Sequence, residues 1–309
     1  MEDEEYLGQY YDEEMPVPEI RNTGVLYEQY LYSFYRDRGM IPAGFTPPKM
    51  GGHGIDLKLF MKNYNINKAV RRRANKLITG IPFAGDDIGA EVGIELKLSS
   101  EDDYGSSALS YNYNKKEWLL TGRNTEENIE NRKLLTAANV IQTINSRWKS
   151  RGAPKRFRYK SGRPPTLPRD AIEFDKANFP ETLVTMPGIA SACANYYTAK
   201  QCHYINISSS GLYYFNQDPL GLVGRYGIKR FSDSVSSMGV RFRTKQGGSF
   251  GFAVAMKITG TVTDSPVNLN DSMFADELRD DASECKNATY ALKQYKDMQN
   301  LKGLGQYYG

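Results

Sequence analysis

A chain of 309 residues with 40% apolar and 12% aromatic content can bury a sizeable core, as one large β domain with additions or as two ordinary domains. No apolar run nears the ~18 residues of a membrane-spanning helix, and the acidic N-terminus lacks the basic and apolar regions of a secretion signal, so a soluble, non-exported protein without a membrane span is expected. The net charge of +4 hides an asymmetry: Glu2, Asp3, Glu4, Glu5, Asp12, Glu13, Glu14 and Glu19 are eight acids ahead of the first basic side chain, Arg21, and their removal leaves +12 on the remainder. Such an acidic arm can fold back on its own basic body, bind a neighbouring copy, or shield a site for a polyanion.

Residues 1–54 read as that arm. Within it, Leu26, Tyr27, Tyr30, Leu31, Phe34 and Tyr35 recur at spacings of three and four, which predicts a short aromatic-faced helix opened by Asn22 or Thr23 and stopped by Gly39. Tyr27, Tyr30, Leu31 and Phe34 are candidate contacts to other subunits, as are Tyr307 and Tyr308 at the far end of the chain. Pro42, Gly44, Pro47, Pro48, Gly51, Gly52 and Gly54 mark a linker or ordered loop before the body.

The body spans residues 55–270. A strand is expected over 56–64, then a short helix over 65–77 with Arg71, Arg72 and Arg73 facing outward. Val92, Ile94, Leu96 and Leu98 alternate with Glu91, Glu95 and Lys97, the pattern of a half-buried strand. Residues 107–120 suggest a hairpin turning at Asn114-Lys115-Lys116. A single inserted helix over 125–151 follows, with Glu126 and Glu127 in its first turn, Arg147, Lys149 and Arg151 at its end, and Ile129, Leu134, Leu135, Ala138, Ile141, Ile144 and Trp148 as its apolar stripe.

Next comes a basic loop, 152–169. From Asn145 to Arg169 there are nine bases and no acid, with Phe157 and Tyr159 interleaved and four prolines opposing regular structure. A loop or broken helix (170–187), a helix (190–199), strand sequence broken at Ser209-Ser210-Gly211 (204–215) and one short strand (221–231) lead to the clearest hairpin. There Val240, Phe242 and Thr244 alternate with Arg241, Arg243 and Lys245, a Gly-rich turn intervenes, and Phe250, Phe252, Val254, Met256 and Ile258 alternate with Gly251, Ala253, Ala255 and Lys257. Residues 271–309 close the chain with a helix and a Gly/Tyr tail. The expected class is mainly β with helical insertions, a β-sandwich or jelly-roll-like body carrying an extended N-terminal arm and a C-terminal helix.

Catalytic patterns are lacking. His53 and His203 have no metal-ligand or nucleophile–base spacing, and Cys202 beside His203 on a strand is poorly placed to share a proton. Cys193, Cys202 and Cys285 read as small buried thiols, and Asp86-Asp87, Glu101-Asp102-Asp103 and Asp280-Asp281 as solvated carboxylates. No cofactor, metal or enzymatic activity is expected. Nucleic-acid binding has more support: Arg147, Lys149, Arg151, Lys155, Arg156, Arg158, Lys160 and Arg163 could neutralise phosphates, Phe157 and Tyr159 could stack on bases, and Arg71, Arg72 and Arg73 form a second patch.

These features lead to a structural subunit of a virion, a coat or minor capsid protein that assembles with copies of itself or other subunits through its termini and touches packaged genome through the basic loop. The resemblance to such proteins is architectural. Two other readings compete: a nucleic-acid-binding protein outside any shell, using residues 145–169, and a carbohydrate-binding β-sandwich stacking sugars on Trp118 and Tyr111.

Overall fold

The computed structural model describes residues 23–42, 44–47, 54–62, 89–122, 124–154, 176–245 and 251–284. After helix α1 (Thr23–Asp37) the chain forms β1 (Leu57–Lys62), β2 (Gly89–Lys97), β3 (Tyr104–Asn112) and β4 (Glu117–Thr121). Helices α2 (Glu126–Ala137) and α3 (Val140–Trp148), strand β5 (Thr182–Thr185), helix α4 (Ile189–Ala199) and strands β6 (Cys202–Ile207) and β7 (Gly211–Tyr214) follow. Short helices α5 (Leu222–Tyr226) and α6 (Phe231–Ser234), strands β8 (Met238–Lys245) and β9 (Gly251–Ile258), and helix α7 (Ser272–Glu284) complete the order.

The strands make two sheets, a four-stranded one in the order β1-β2-β6-β7 and a five-stranded one in the order β4-β3-β9-β8-β5. The five-stranded sheet is antiparallel throughout and is built around the β8–β9 hairpin, in which Val240 lies opposite Met256 and Phe242 opposite Val254. In the smaller sheet β2 and β6 are parallel, whereas a jelly roll is a double sheet of antiparallel strands.

Among the described residues the buried apolar side chains form two clusters. The larger joins the inner face of the five-stranded sheet (Val240, Phe242, Phe252, Val254, Met256) to α3, α4 and one face of the smaller sheet, including Ile205, Ile207 and Tyr213. The other lies across the opposite face of the smaller sheet, where Leu57, Leu59, Val92, Ile94 and Leu96 meet Tyr27, Leu31 and Tyr35 of α1 and Phe274 and Leu278 of α7. The smaller sheet is thus covered on both sides, as a sheet with a parallel central pair requires.

Several expectations change. The strand over 89–97 is not half-buried, since Glu95 is only 3% exposed. The inserted helix is two helices, because Asn139 adopts the left-handed conformation at φ 59°, which Asn tolerates better than most residues. Its predicted stripe also shifts: Ile129 is 36% exposed while Asn131 turns inward and donates to the Ser106 carbonyl at 3.1 Å. Residues 182–185 form an edge strand where a loop or broken helix was expected. A short strand was expected over 221–231, but α5 and α6 stand there, because Gly221 and Gly227 in left-handed conformations cap a single helical turn. The expected helix over 65–77, the basic loop beyond Pro154 and the tail lie outside the described residues.

Candidate functional site

Helix α3 is seated on strand β4 by one side chain. Asn145 accepts the Trp118 backbone N–H at 2.8 Å through Oδ1 and donates to the Trp118 carbonyl at 3.3 Å through Nδ2, so its amide pairs with the strand as a neighbouring backbone would. Below that contact Trp148 meets Trp118, Phe179 and Phe242 edge-on, with ring centroids 5.0, 5.1 and 4.9 Å apart. Edge-to-face pairs at such distances add ~0.5–1.5 kcal/mol each beyond burial. The helix end is therefore a fixed platform.

On that platform Arg147, Lys149 and Arg151 are exposed, and none forms an ion pair with a described residue. They sit at the C-terminal, electronegative end of α3, where cations are favoured. The chain beyond them is anchored at both feet. Tyr113 Oη donates to the Pro154 carbonyl at 2.9 Å, and Asn178 Nδ2 donates to the Arg151 carbonyl at 3.0 Å. Pro154 is thus tied to the β3–β4 turn, which itself carries exposed Lys115 and Lys116, and Asn178 to the end of α3. The Lys115 ammonium is 4.0 Å from Glu117, both well exposed, so that pair neutralises little.

The other expected site residues fare differently. Lys155, Arg156, Phe157, Arg158, Tyr159, Lys160, Arg163, Arg71, Arg72 and Arg73 lie outside the described residues, as do Tyr307, Tyr308, His53 and Cys285. The basic row on β8 is used internally, with Arg241 and Arg243 both paired to Asp103 and Glu181. In α1, Leu31 is fully buried, and Tyr27 donates to Asn270 and accepts from Asn206, burial pushing its hydroxyl pKa up to about 12. Those two residues serve this chain's own core. Tyr30 is 52% exposed and stays available for contact, beside the half-buried Phe34 at 5.8 Å between ring centroids. Trp118, 1% exposed, cannot offer a face to a sugar, which removes the stacking pair expected of a carbohydrate binder.

Sequence reasoning missed a buried charge cluster. Glu95 and Lys97 alternate with Ile94 and Leu96, so they face away from α1 and into the space between the sheets. Glu95 accepts hydrogen bonds from Lys97 Nζ and Lys200 Nζ, each at 2.7 Å, one on each carboxylate oxygen. Asp56 lies 3.9 Å from Lys200 Nζ and accepts the Leu96 backbone N–H at 3.0 Å.

Burial alone would raise the Glu95 carboxyl, but the two ammonium groups override it and hold the pKa well below the usual carboxylate range. Asp56 is pushed up to about 7, first by burial and then by the neighbouring Glu95 charge. Burial also pushes the Cys193 and Cys202 thiols well above their ordinary value, so neither is a thiolate nucleophile at neutral pH. His203 pairs with no thiol: its Nδ1 accepts the Gly93 backbone N–H at 3.3 Å, and burial lowers its pKa to about 4. The one legible clue to the cluster was an acid and a base two residues apart on one strand face.

Of the acids noted earlier, Asp86 and Asp87 lie outside the described residues, and the 101–103 group has structural work. Asp102 accepts the backbone N–H groups of Leu98 and Ser99 at 3.0 and 3.2 Å, and Lys257 reaches Glu101. Compared with models of known families, with curated proteins and with solved structures, the chain has no significant match. Among the described residues, no helix is long and apolar enough to cross a membrane.

Proposed function

We propose that this chain is a structural subunit of a virion, assembling with copies of itself or with other subunits and touching packaged nucleic acid through the basic end of its five-stranded sheet. The observation that carries the nucleic-acid part is the platform at the end of α3. Arg147, Lys149 and Arg151 stand unpaired among the described residues, at the foot of a segment whose sequence adds Lys155, Arg156, Arg158, Lys160 and Arg163 within nine positions, with Phe157 and Tyr159 between them. Several cations on a rigid base neutralise successive phosphates without the ordering cost of a free tail. The assembly part is supported by the opposite charges of the N-terminal stretch and the body, and by the exposed Leu26 and Tyr30 on α1.

Light scattering of the full chain, with its absorbance ratio at 260 and 280 nm, tests the first part. A megadalton species supports the subunit reading, and a monomer at every concentration overturns it in favour of a nucleic-acid-binding module outside a shell. For the second part, binding to single-stranded and duplex oligonucleotides is measured by anisotropy across a salt series. Replacing Arg147, Lys149 and Arg151 with Gln should reduce the salt slope by about 2–3 and weaken binding to all sequences alike. An unchanged slope would reassign this end to subunit contacts.

A further inference from the structure

Each sheet has two edges, and among the described residues three of the four meet other groups. The β7 edge is met by Val267, whose carbonyl accepts the Leu212 N–H at 2.8 Å, and by Lys229, whose carbonyl accepts the Tyr214 N–H at 3.2 Å. The β1 edge receives the Met40 carbonyl on the Phe60 N–H at 2.6 Å. The β4 edge is blocked by the Asn145 amide. Strand β5 has no such cover among the described residues.

Its pairing shows which groups are left over. Thr182 lies opposite Phe242 and Val184 opposite Val240, and the Met186 N–H donates to the Met238 carbonyl at 3.0 Å in the same register. Hydrogen-bonding direction alternates along a strand, so Thr182, Val184 and Met186 bond inward to β8, while the N–H and C=O groups of Leu183 and Thr185 point outward. These outward groups have no partner among the described residues, and the Leu183 side chain is 49% exposed. The strand is held firmly in place. A Cβ at Gly239 would collide with the Val184 carbonyl, so this glycine lets β5 approach β8 closely.

Open edges are ordinarily protected by shortness, charge, proline or a bulge. Strand β5 is short, but Thr182-Leu183-Val184-Thr185-Met186 itself carries no charge, proline or bulge, and the nearest acid, Glu181, is drawn to Arg241 at 3.3 Å and Arg243 at 3.9 Å.

We infer that the outer edge of β5 pairs with β5 of a second copy of this chain, antiparallel about a two-fold axis centred on Val184. In that register the N–H and C=O of Leu183 face the C=O and N–H of the partner's Thr185, and the converse, giving four hydrogen bonds. Val184 lies beside the partner's Val184, and no charge meets its own image. Every outward N–H meets a C=O and like charges are not opposed, so the edge has the self-complementarity that an isologous contact between two copies requires. Pro180 and Pro187 confine the ladder to these few residues. A contact this small is weak alone and gains strength where many copies repeat it.

The inference rests on the self-assembly part of the proposed function and specifies its surface. Sedimentation equilibrium of the full chain is compared with Leu183→Lys, which puts a charge on an exposed side chain, and with Thr185→Pro, which removes an outward N–H and leaves the inner ladder intact. Buried-tryptophan fluorescence confirms that both variants fold. The association constant should fall roughly tenfold or more in each variant. Hydrogen exchange in the peptide covering 181–187 should slow in the wild type as concentration rises. If the wild type associates and both variants associate equally well, the β5 contact is wrong while self-assembly stands. If the wild type stays monomeric throughout, both fail.

Discussion

Replacing Glu95 with Gln tests the buried cluster directly. The wild-type carboxylate takes one ammonium on each oxygen, Lys97 and Lys200 both at 2.7 Å. Gln keeps the volume, but one of its two groups is an NH2 that can only point a donor at a donor. Asp56, at 3.9 Å from Lys200, is left as the nearest counter-charge. Two ammonium groups of 16% and 8% side-chain exposure then share a site with no full partner. Removing one partner from a buried pair costs about 3–5 kcal/mol.

Urea unfolding followed by the fluorescence of Trp118 and Trp148, both fully buried, reads this as a fall in midpoint of about 1–2 M for a slope near 3 kcal/mol per M. The pH dependence has a definite sign. Glu95 has a folded pKa below its unfolded one, so its stabilisation is complete above the unfolded value of ~4.3 and is lost as pH falls through the folded one. The gap between wild type and variant should therefore shrink in acid. A midpoint shift below about 0.5 M at pH 7 with an unchanged slope would refute the reasoning. Replacing Glu95, Lys97 and Lys200 by Leu, Met and Met together with Asp56→Asn, so that no buried carboxylate is left without its ammonium partners, should recover most of the loss, since a buried ionic group exchanged whole is often neutral.

Asp56 carries the opposite sign. Its folded pKa of about 7 lies above the unfolded ~3.9, so the native state holds more protons across that window and stability falls as pH rises through it. Wild-type stability relative to Asp56→Asn should drop by roughly 4 kcal/mol between pH 4 and pH 8, and a pH-independent difference in urea midpoints would exclude this titration. Asn145→Ala strips both hydrogen bonds from the Trp118 backbone and should cost about 1–3 kcal/mol, lowering the melting temperature by several degrees in calorimetry. It also uncovers the β4 edge, so light scattering should show more aggregation on heating than for the wild type; equal melting and equal scattering would mean that α3 is held without Asn145.

Local pattern carried a good part of the fold. The β8–β9 and β3–β4 hairpins, and the strand character on either side of Ser209-Ser210-Gly211, were legible because period-two alternation and turn residues are properties of adjacent sequence. The β2–β6 parallel pair was not legible, since the two strands are separated in sequence by three strands of the opposite sheet and two helices before α4 returns to β6. Missing that pair, the sequence reading placed Glu95 and Lys97 in solvent. In α2 and α3 the apolar stripe was drawn along one ideal helix, and the left-handed Asn139 rotates everything after it relative to what came before. Short β5 carries only four residues, too few for alternation to separate strand from loop.

Charge is where sequence and structure part most instructively. Arg241 and Arg243 on β8 and Arg147, Lys149 and Arg151 on α3 look alike as cations near aromatic residues. The β8 arginines lie on a sheet face, within reach of Asp103 from the β2–β3 connection and Glu181 ahead of β5, and they are neutralised there. The α3 cations lie at a helix end, where Pro154 and Asn178 are tied down and no acid among the described residues pairs with these cations. Lys97 and Lys200 are spent in the same way as the β8 pair, on Glu95 and Asp56. Internal pairing removes acids and bases one for one, so it leaves the +12 excess of residues 20–309 intact while withdrawing these paired bases from the surface. The cations at the end of α3 stay exposed and unpaired among the described residues, which is why the proposed contact with a polyanion is placed there and not on the equally basic strand.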